Sequence, residues 1–365
     1  MKNKLLTTAL VGSLVSLSSV AVAQTTITGN LDLSFQTHSS SGGTAAQRLD
    51  SDRYFGKESQ INIQNKGKLT NGMDYAAGFS IELDGPDGNT SYNASTNGAF
   101  NENVYIDITL TPGTTFTVGA DHIQNLDRNI TNLAGFGYLG IDGVNNVISS
   151  YSKTGGSIYS AYGAGLVQDI GKIGKLSAYY APTNSGVAQN DIFNGVQSTG
   201  NATADSAYEF VFKGDLGVKG AEIGLAYNKQ EGLDKPTNPR NDLVNKKIDG
   251  KYTVGQFTIA GDYVKSEGIA TGTGTISGYT AGLNVHKSKS VGLGYAVNKD
   301  LSVSYAYGKT ETDKAATSDE KNQVIAIGYN LGPVAVGLQY KNVDNHANTS
   351  GLDADAYAVR LSTKF

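Results

Sequence analysis

From Ile27 to the final residue, the chain repeatedly alternates apolar with polar or small side chains. After residue 23, no stretch approaches the ~20 consecutive apolar residues that a membrane helix needs. A period of two is the mark of a strand with one apolar face. The rows can be read directly: Ile27, Leu31, Leu33 and Phe35; Met73, Tyr75, Phe79, Ile81 and Leu83; Ile106, Ile108 and Leu110; Leu301, Val303, Tyr305 and Tyr307; Val334, Val336, Leu338 and Tyr340. The last row, Tyr357, Val359 and Leu361, finishes on Phe365, and sixteen rows can be counted in all. Glycine (46) and tyrosine (21) are abundant while proline (6) is scarce, which suits many strands joined by tight turns.

The links between rows alternate in length. Short ones fall at Asn65–Asn71, Thr111–Thr114, Asp169–Gly174, Asp215–Lys219, Gly255–Gln256, Asn298–Asp300 and Leu331–Gly332. Long polar ones fall near residues 37–51, 84–100, 121–156, 183–204, 231–243, 268–288, 313–319 and 344–352. Such parity predicts an up-and-down meander with both termini on the short-turn side. The sixth row is read from Ile158 and Tyr162, and an additional short strand over Val147–Tyr151 also fits the pattern.

The amino-terminal residues predict export. Lys2 and Lys4 precede an apolar stretch, Leu5–Val20, and Ala21-Val22-Ala23 fits a small-residue cleavage site. The expected organisation is a signal peptide over 1–23 and a single barrel domain over 24–365. The remaining 342 residues carry 27 basic and 33 acidic side chains, a net charge of −6, which is not a nucleic-acid-binding surface. With no cysteine, an exported protein has no disulfide scaffold and must rely on backbone pairing. Strands can cross lipid only as a closed sheet, because the hydrocarbon offers no hydrogen-bond partners. The expected fold is therefore all-β: a transmembrane, up-and-down antiparallel β-barrel of about sixteen strands. Tyrosines near the row ends fit an interfacial aromatic girdle.

Several segments carry a family likeness: Ile27–Phe35, Arg53-Tyr54-Phe55-Gly56, Lys68-Leu69-Thr70-Asn71-Gly72-Met73, Phe116-Thr117-Val118-Gly119 and the terminal Phe365. In these, the chain resembles the general trimeric porins of Gram-negative outer membranes. The resemblance implies a homotrimer in outer-membrane lipid and lipopolysaccharide, and passive diffusion of small hydrophilic solutes and ions. It also implies Phe365 as the signal to the outer-membrane assembly machinery, and a third long loop, Ala120–Gly156, folded into the lumen as a constriction. Within that loop, Gly135-Phe136-Gly137-Tyr138-Leu139-Gly140 has the spacing of a dinucleotide-binding turn, but it opens no helix in a βαβ unit. Backbone freedom in a folded-back loop is the fitting role.

Constriction candidates on this loop are Asp121, Asp127, Asp142, Phe136 and Tyr138. Lumen-facing acidic candidates on the strands are Glu58, Asp74, Glu82 and Asp107, with Asp32. Basic ones are Arg53, Lys213, Lys247, Lys251, Lys341, Arg360 and Lys364. Opposed charges across a narrowing set a transverse field that orients solutes. Because only five arginines exist, the acidic wall and the negative charge predict weak cation preference. Solvated loop carboxylates are the alternative at each loop position. Asp84, Asp87 and Asn89 in the second long loop offer oxygen ligands for calcium without completing an EF-hand pattern, and that loop is also placed to latch a neighbouring subunit. No other cofactor is expected.

His38, His122, His286 and His346 are scattered, no H-E-x-x-H or G-x-S-x-G motif occurs, and no enzymatic activity is expected. The functional expectation is a water-filled diffusion channel. A substrate-specific uptake channel, with Phe136 and Tyr138 lining its path, is an alternative; so are a structural or adhesive barrel and an enzyme built from distant strands.

Overall fold

A computed structural model describes residues 23–44, 53–82, 100–119, 130–131, 133–134, 162–181, 206–231, 242–268, 285–313 and 318–365. The expected signal peptide, apart from Ala23, lies outside the described residues, as do the segment Val147–Tyr151, Ile158, and Asp84, Asp87 and Asn89. Among the described residues sixteen strands follow in chain order: β1 Gln24–Ser41, β2 Arg53–Lys68, β3 Asp74–Glu82, β4 Phe100–Thr111, β5 Thr114–Gly119, β6 Gly163–Asp169, β7 Lys175–Ala181 and β8 Ala207–Gly214. They continue as β9 Ala221–Gln230, β10 Leu243–Val254, β11 Phe257–Glu267, β12 Val285–Ala296, β13 Leu301–Thr312, β14 Glu320–Leu331, β15 Val334–Asp344 and β16 Asp353–Lys364.

Each strand pairs antiparallel with its neighbours in sequence, and β1 pairs with β16, so the sheet closes into a barrel. Closure satisfies the ladder groups that an edge would leave bare, the condition for strands in lipid. At the seam Leu33 stands opposite Leu361 and Phe35 opposite Val359, while the alternate positions pair Ser34 with Arg360 and Asp32 with Ser362. The ladder is carried to the last residue. The Phe365 amide donates to the Gly29 carbonyl at 3.0 Å, and the Gly29 amide donates to the Phe365 carbonyl at 2.9 Å.

The two faces are inverted relative to a soluble barrel. Leu293, Ile325 and Ile259 are each more than half exposed on the outer face, whereas Glu209, Asp249, Glu320 and Asn322 are almost fully buried inside. An apolar outer belt and a polar interior suit lipid outside and water within.

Short links join the strands on the terminal side, and in four of them an Asn or Asp side chain holds the turn. Asn71 Oδ1 accepts from the Met73 amide at 3.2 Å, Asp169 Oδ1 from Gly171 at 2.8 Å, Asp215 Oδ1 from Gly217 at 2.8 Å, and Asn298 Oδ1 from Asp300 at 2.8 Å. This local bond two residues on replaces a ladder partner in the reversal.

The sixth strand departs from expectation. It runs over Gly163–Asp169, with Leu166 opposite Phe116 on the outer face, and Tyr162 lies just before it. The turn at Asp169 and the pairing with β5 fix its register, and its Gly-Ala-Gly start has too few apolar side chains to show a row. Likewise β12 begins at Val285, inside a segment expected to be loop.

Candidate functional site

Alternate residues of the strands face the lumen, apart from the register shifts at Gly78/Ser80 and Thr109/Thr111, so the candidate site is the inner wall and the residues that meet it. At the seam, Arg360 Nη2 lies 2.7 Å from Asp32 Oδ2, and Asn30 Nδ2 donates to the same oxygen at 3.0 Å. Further round, an inner ladder runs across three strands: Asn245 donates to Asn228 Oδ1 at 3.3 Å, and Asn228 donates to Glu209 Oε2 at 3.2 Å. Lys251 pairs with Glu222 at 2.7 Å, and Lys247 lies 4.0 Å from Asp249 with both side chains fully buried. On β14, Asn322 donates to Glu320 at 3.2 Å. Charges held this way present fixed dipoles to the lumen rather than swinging freely.

Glu82, Asp107, Lys213, Lys251, Lys341 and Arg360 occupy inner-row positions. Asp74 and Lys364 sit at the terminal-side rim, Asp74 pairing with Lys68 at 2.5 Å and Lys364 standing exposed opposite Asn30. The backbone of Glu58 stands opposite Asp32. Arg53 requires a correction. It pairs with Thr37, two residues from Phe55 opposite Phe35, which puts it on the outer face with the apolar row. The strand enters at Arg53 itself, so the alternation set by Phe55 decides its side. Asp121, Asp127, Asp142, Phe136 and Tyr138 lie outside the described residues.

Part of the β5–β6 loop is described, and it touches the wall far from its roots. Ile130, Thr131 and Ala134 are buried, and Thr131 and Ala134 meet the inner face of β12 and β13. Thr131 Oγ1 and Ser290 Oγ are 3.0 Å apart, and the Ala134 amide donates to Ser304 Oγ at 3.0 Å. The wall there is cut away to receive it: a Cβ on Gly292 would stand 2.0 Å from the Thr131 carbonyl oxygen, and one on Gly294 would stand 2.8 Å from the Leu133 side chain. From β5 to β12 is seven steps around a sixteen-strand circle, close to the opposite wall. At the loop's root, the inward Tyr179 hydroxyl donates to the Gly119 carbonyl. Ser290, Ser304 and the two glycines were not singled out from sequence. Their signal was there, in small residues at consecutive inward positions beside Val291, Leu293 and Tyr295.

A closed barrel of this strand number, polar within and met on its inner wall by Thr131 and Ala134, narrows the comparison. The sequence model of the Gram-negative porins matches residues 7–288 and 284–365. The chain belongs to the Gram-negative porin family. This porin is an outer-membrane channel. An anion-selective porin from Comamonas acidovorans, 14% identical, superposes with a TM-score of 0.66 over 94% of this porin and 100% of its own chain. A triple mutant of the Rhodopseudomonas blastica porin, 13% identical, does so with a TM-score of 0.55 over 94% and 100%. No curated protein sequence matches it.

Proposed function

We propose that this porin is a passive, water-filled pore for small hydrophilic solutes and ions, narrowed where the β5–β6 loop crosses the lumen. The observation that carries the reading is the anchorage of Thr131 and Ala134 on β12 and β13, across the barrel from the loop's roots. A segment tied down on both sides divides the cross-section and sets the largest solute that can pass. Family membership supports a homotrimer, with the long loops toward the cell exterior.

Weak cation preference follows from the inner charges. Among the described residues, the buried wall carries six carboxylates, Asp32, Glu82, Glu209, Asp249, Asp262 and Glu320, against two lysines, Lys247 and Lys341. A lumen lined with one sign of charge concentrates the opposite ion. The Comamonas acidovorans porin is anion-selective, and the acidic wall here argues for the opposite sign. Reversal potentials across a tenfold salt gradient test this: the cation-side sign is expected, and a clear anion-side potential contradicts it.

A further inference from the structure

The chain leaves β5 at Gly119 and enters β6 at Gly163, and these two glycines form the last register pair of the β5–β6 ladder. Thr131 and Ala134, seated on the far wall, belong to the segment that hangs from this pair. One side chain from a third strand touches both roots. The Tyr179 ring of β7 lies against Gly163, where an added Cβ would stand 2.8 Å from its Cζ and 2.9 Å from its hydroxyl oxygen. The hydroxyl reaches past β6 and donates to the Gly119 carbonyl.

Neighbouring strands lie about 4.8 Å apart, so the span from β7 to β5 is about 10 Å along the sheet. The wall is bare where the ring crosses it: the inward positions of β6 there are Gly163 and Gly165, the latter directly opposite Tyr179. An aromatic ring laid over strand glycines supplies the cover that they lack. Gly119 is constrained from its other side, since a Cβ there would stand 2.0 Å from the Val104 carbonyl oxygen. Its carbonyl sits at the end of a ladder on a buried residue, where a backbone acceptor needs a donor, and the hydroxyl provides one. Tyr179 is itself held. It is buried and clusters with Ala181 and Ala207, and Glu209, opposite it on β8, accepts from Asn228 at 3.2 Å.

We propose that Tyr179 is the positioning residue of the constriction: it clamps both roots of the β5–β6 loop and so fixes the direction in which the loop leaves the wall for its seat on β12 and β13. The inference rests on the loop-narrowed pore proposed above. A segment tied only at its far end swings about its roots, and a brace at the roots removes that freedom. Because it is buried, Tyr179 meets no solute and acts through the loop. Ring and hydroxyl have separate tasks: the ring covers the glycines, and the hydroxyl holds Gly119.

Hydrogen–deuterium exchange of the detergent-purified oligomer, read peptide by peptide, tests this on Tyr179→Phe, which keeps the ring, and Tyr179→Leu, which loses ring and hydroxyl. In Tyr179→Phe, peptides covering Thr114–Gly119 and Gly163–Asp169 are expected to exchange about fivefold faster, the factor that one hydrogen bond of ordinary net strength is worth. Peptides of β13–β15 are expected to keep their rates, and the oligomer its yield. Tyr179→Leu is expected to exchange faster still at the roots and to admit larger neutral sugars in liposome swelling. Unchanged root exchange in Tyr179→Phe would overturn the proposal, and so would faster exchange in all strands together, since the tyrosine would then serve barrel stability alone. A wild-type size limit that persists in a well-assembled Tyr179→Leu would overturn it as well; if that variant does not assemble, Tyr179→Phe decides. Wild-type protein that admits no sugar contradicts the pore, while root exchange still decides the brace.

Discussion

Phe365 closes the molecule by backbone and by ring. Its amide and carbonyl complete the ladder to Gly29, and its ring lies over that glycine's bare Cα: a Cβ there would stand 2.4 Å from the ring and 2.7 Å from the Gln60 carbonyl oxygen. An aromatic laid over a strand glycine restores the side-chain cover that glycine lacks. Deleting Phe365 is expected to lower the yield of assembled oligomer much more than the conductance of the channels that do form; normal oligomer yield would contradict this. At the same seam, Arg360→Ala leaves the buried Asp32 carboxylate without its cation. The expected loss is about 2 kcal/mol, nearer the worth of a charged hydrogen bond than of a fully dry ion pair, because the lumen holds water. Urea unfolding of the refolded barrel measures it, and an unchanged midpoint would show that solvent already compensates Asp32.

At the scale of elements, Thr131, Leu133 and Ala134 of the β5–β6 loop meet small residues on the wall, Ser290, Gly292, Gly294 and Ser304. Gly292→Val places a branched side chain where the Thr131 carbonyl oxygen now sits. The barrel ladder on β12 does not need that glycine, since valine suits strands. The variant is therefore expected to assemble normally, to show noisier open current and to pass larger neutral sugars in liposome swelling. An unchanged size limit would mean that the anchorage does not set the constriction. Strand identity was largely legible in the sequence wherever an apolar row persisted, as in β13 and β15. It faded where the row changed chemistry. On β10 and β12, Lys246, Lys287 and Lys289 continue the outward positions of Ile248 and Val291, and a search for apolar side chains stops short of them. The sixth strand was hidden by small residues, and Arg53 was misplaced because its face depends on where β2 enters the sheet. The far-wall contact of the loop joins residues about 160 apart in sequence, a relation that no local pattern encodes.

At the scale of the whole molecule, closure, inverted faces and the contact of Thr131 and Ala134 with the inner wall describe one object. The outer surface is built for lipid, and the interior is polar, with more buried carboxylates than buried lysines among the described residues, so that water and small ions meet a wetted, mostly acidic wall. The central claim is an open, loop-narrowed pore, and planar-bilayer recording of the detergent-purified protein tests it most directly. The account predicts large, ohmic openings that arrive in groups of three equal steps, with a cation-side reversal potential in a salt gradient. Insertions that give no stepwise conductance would contradict it.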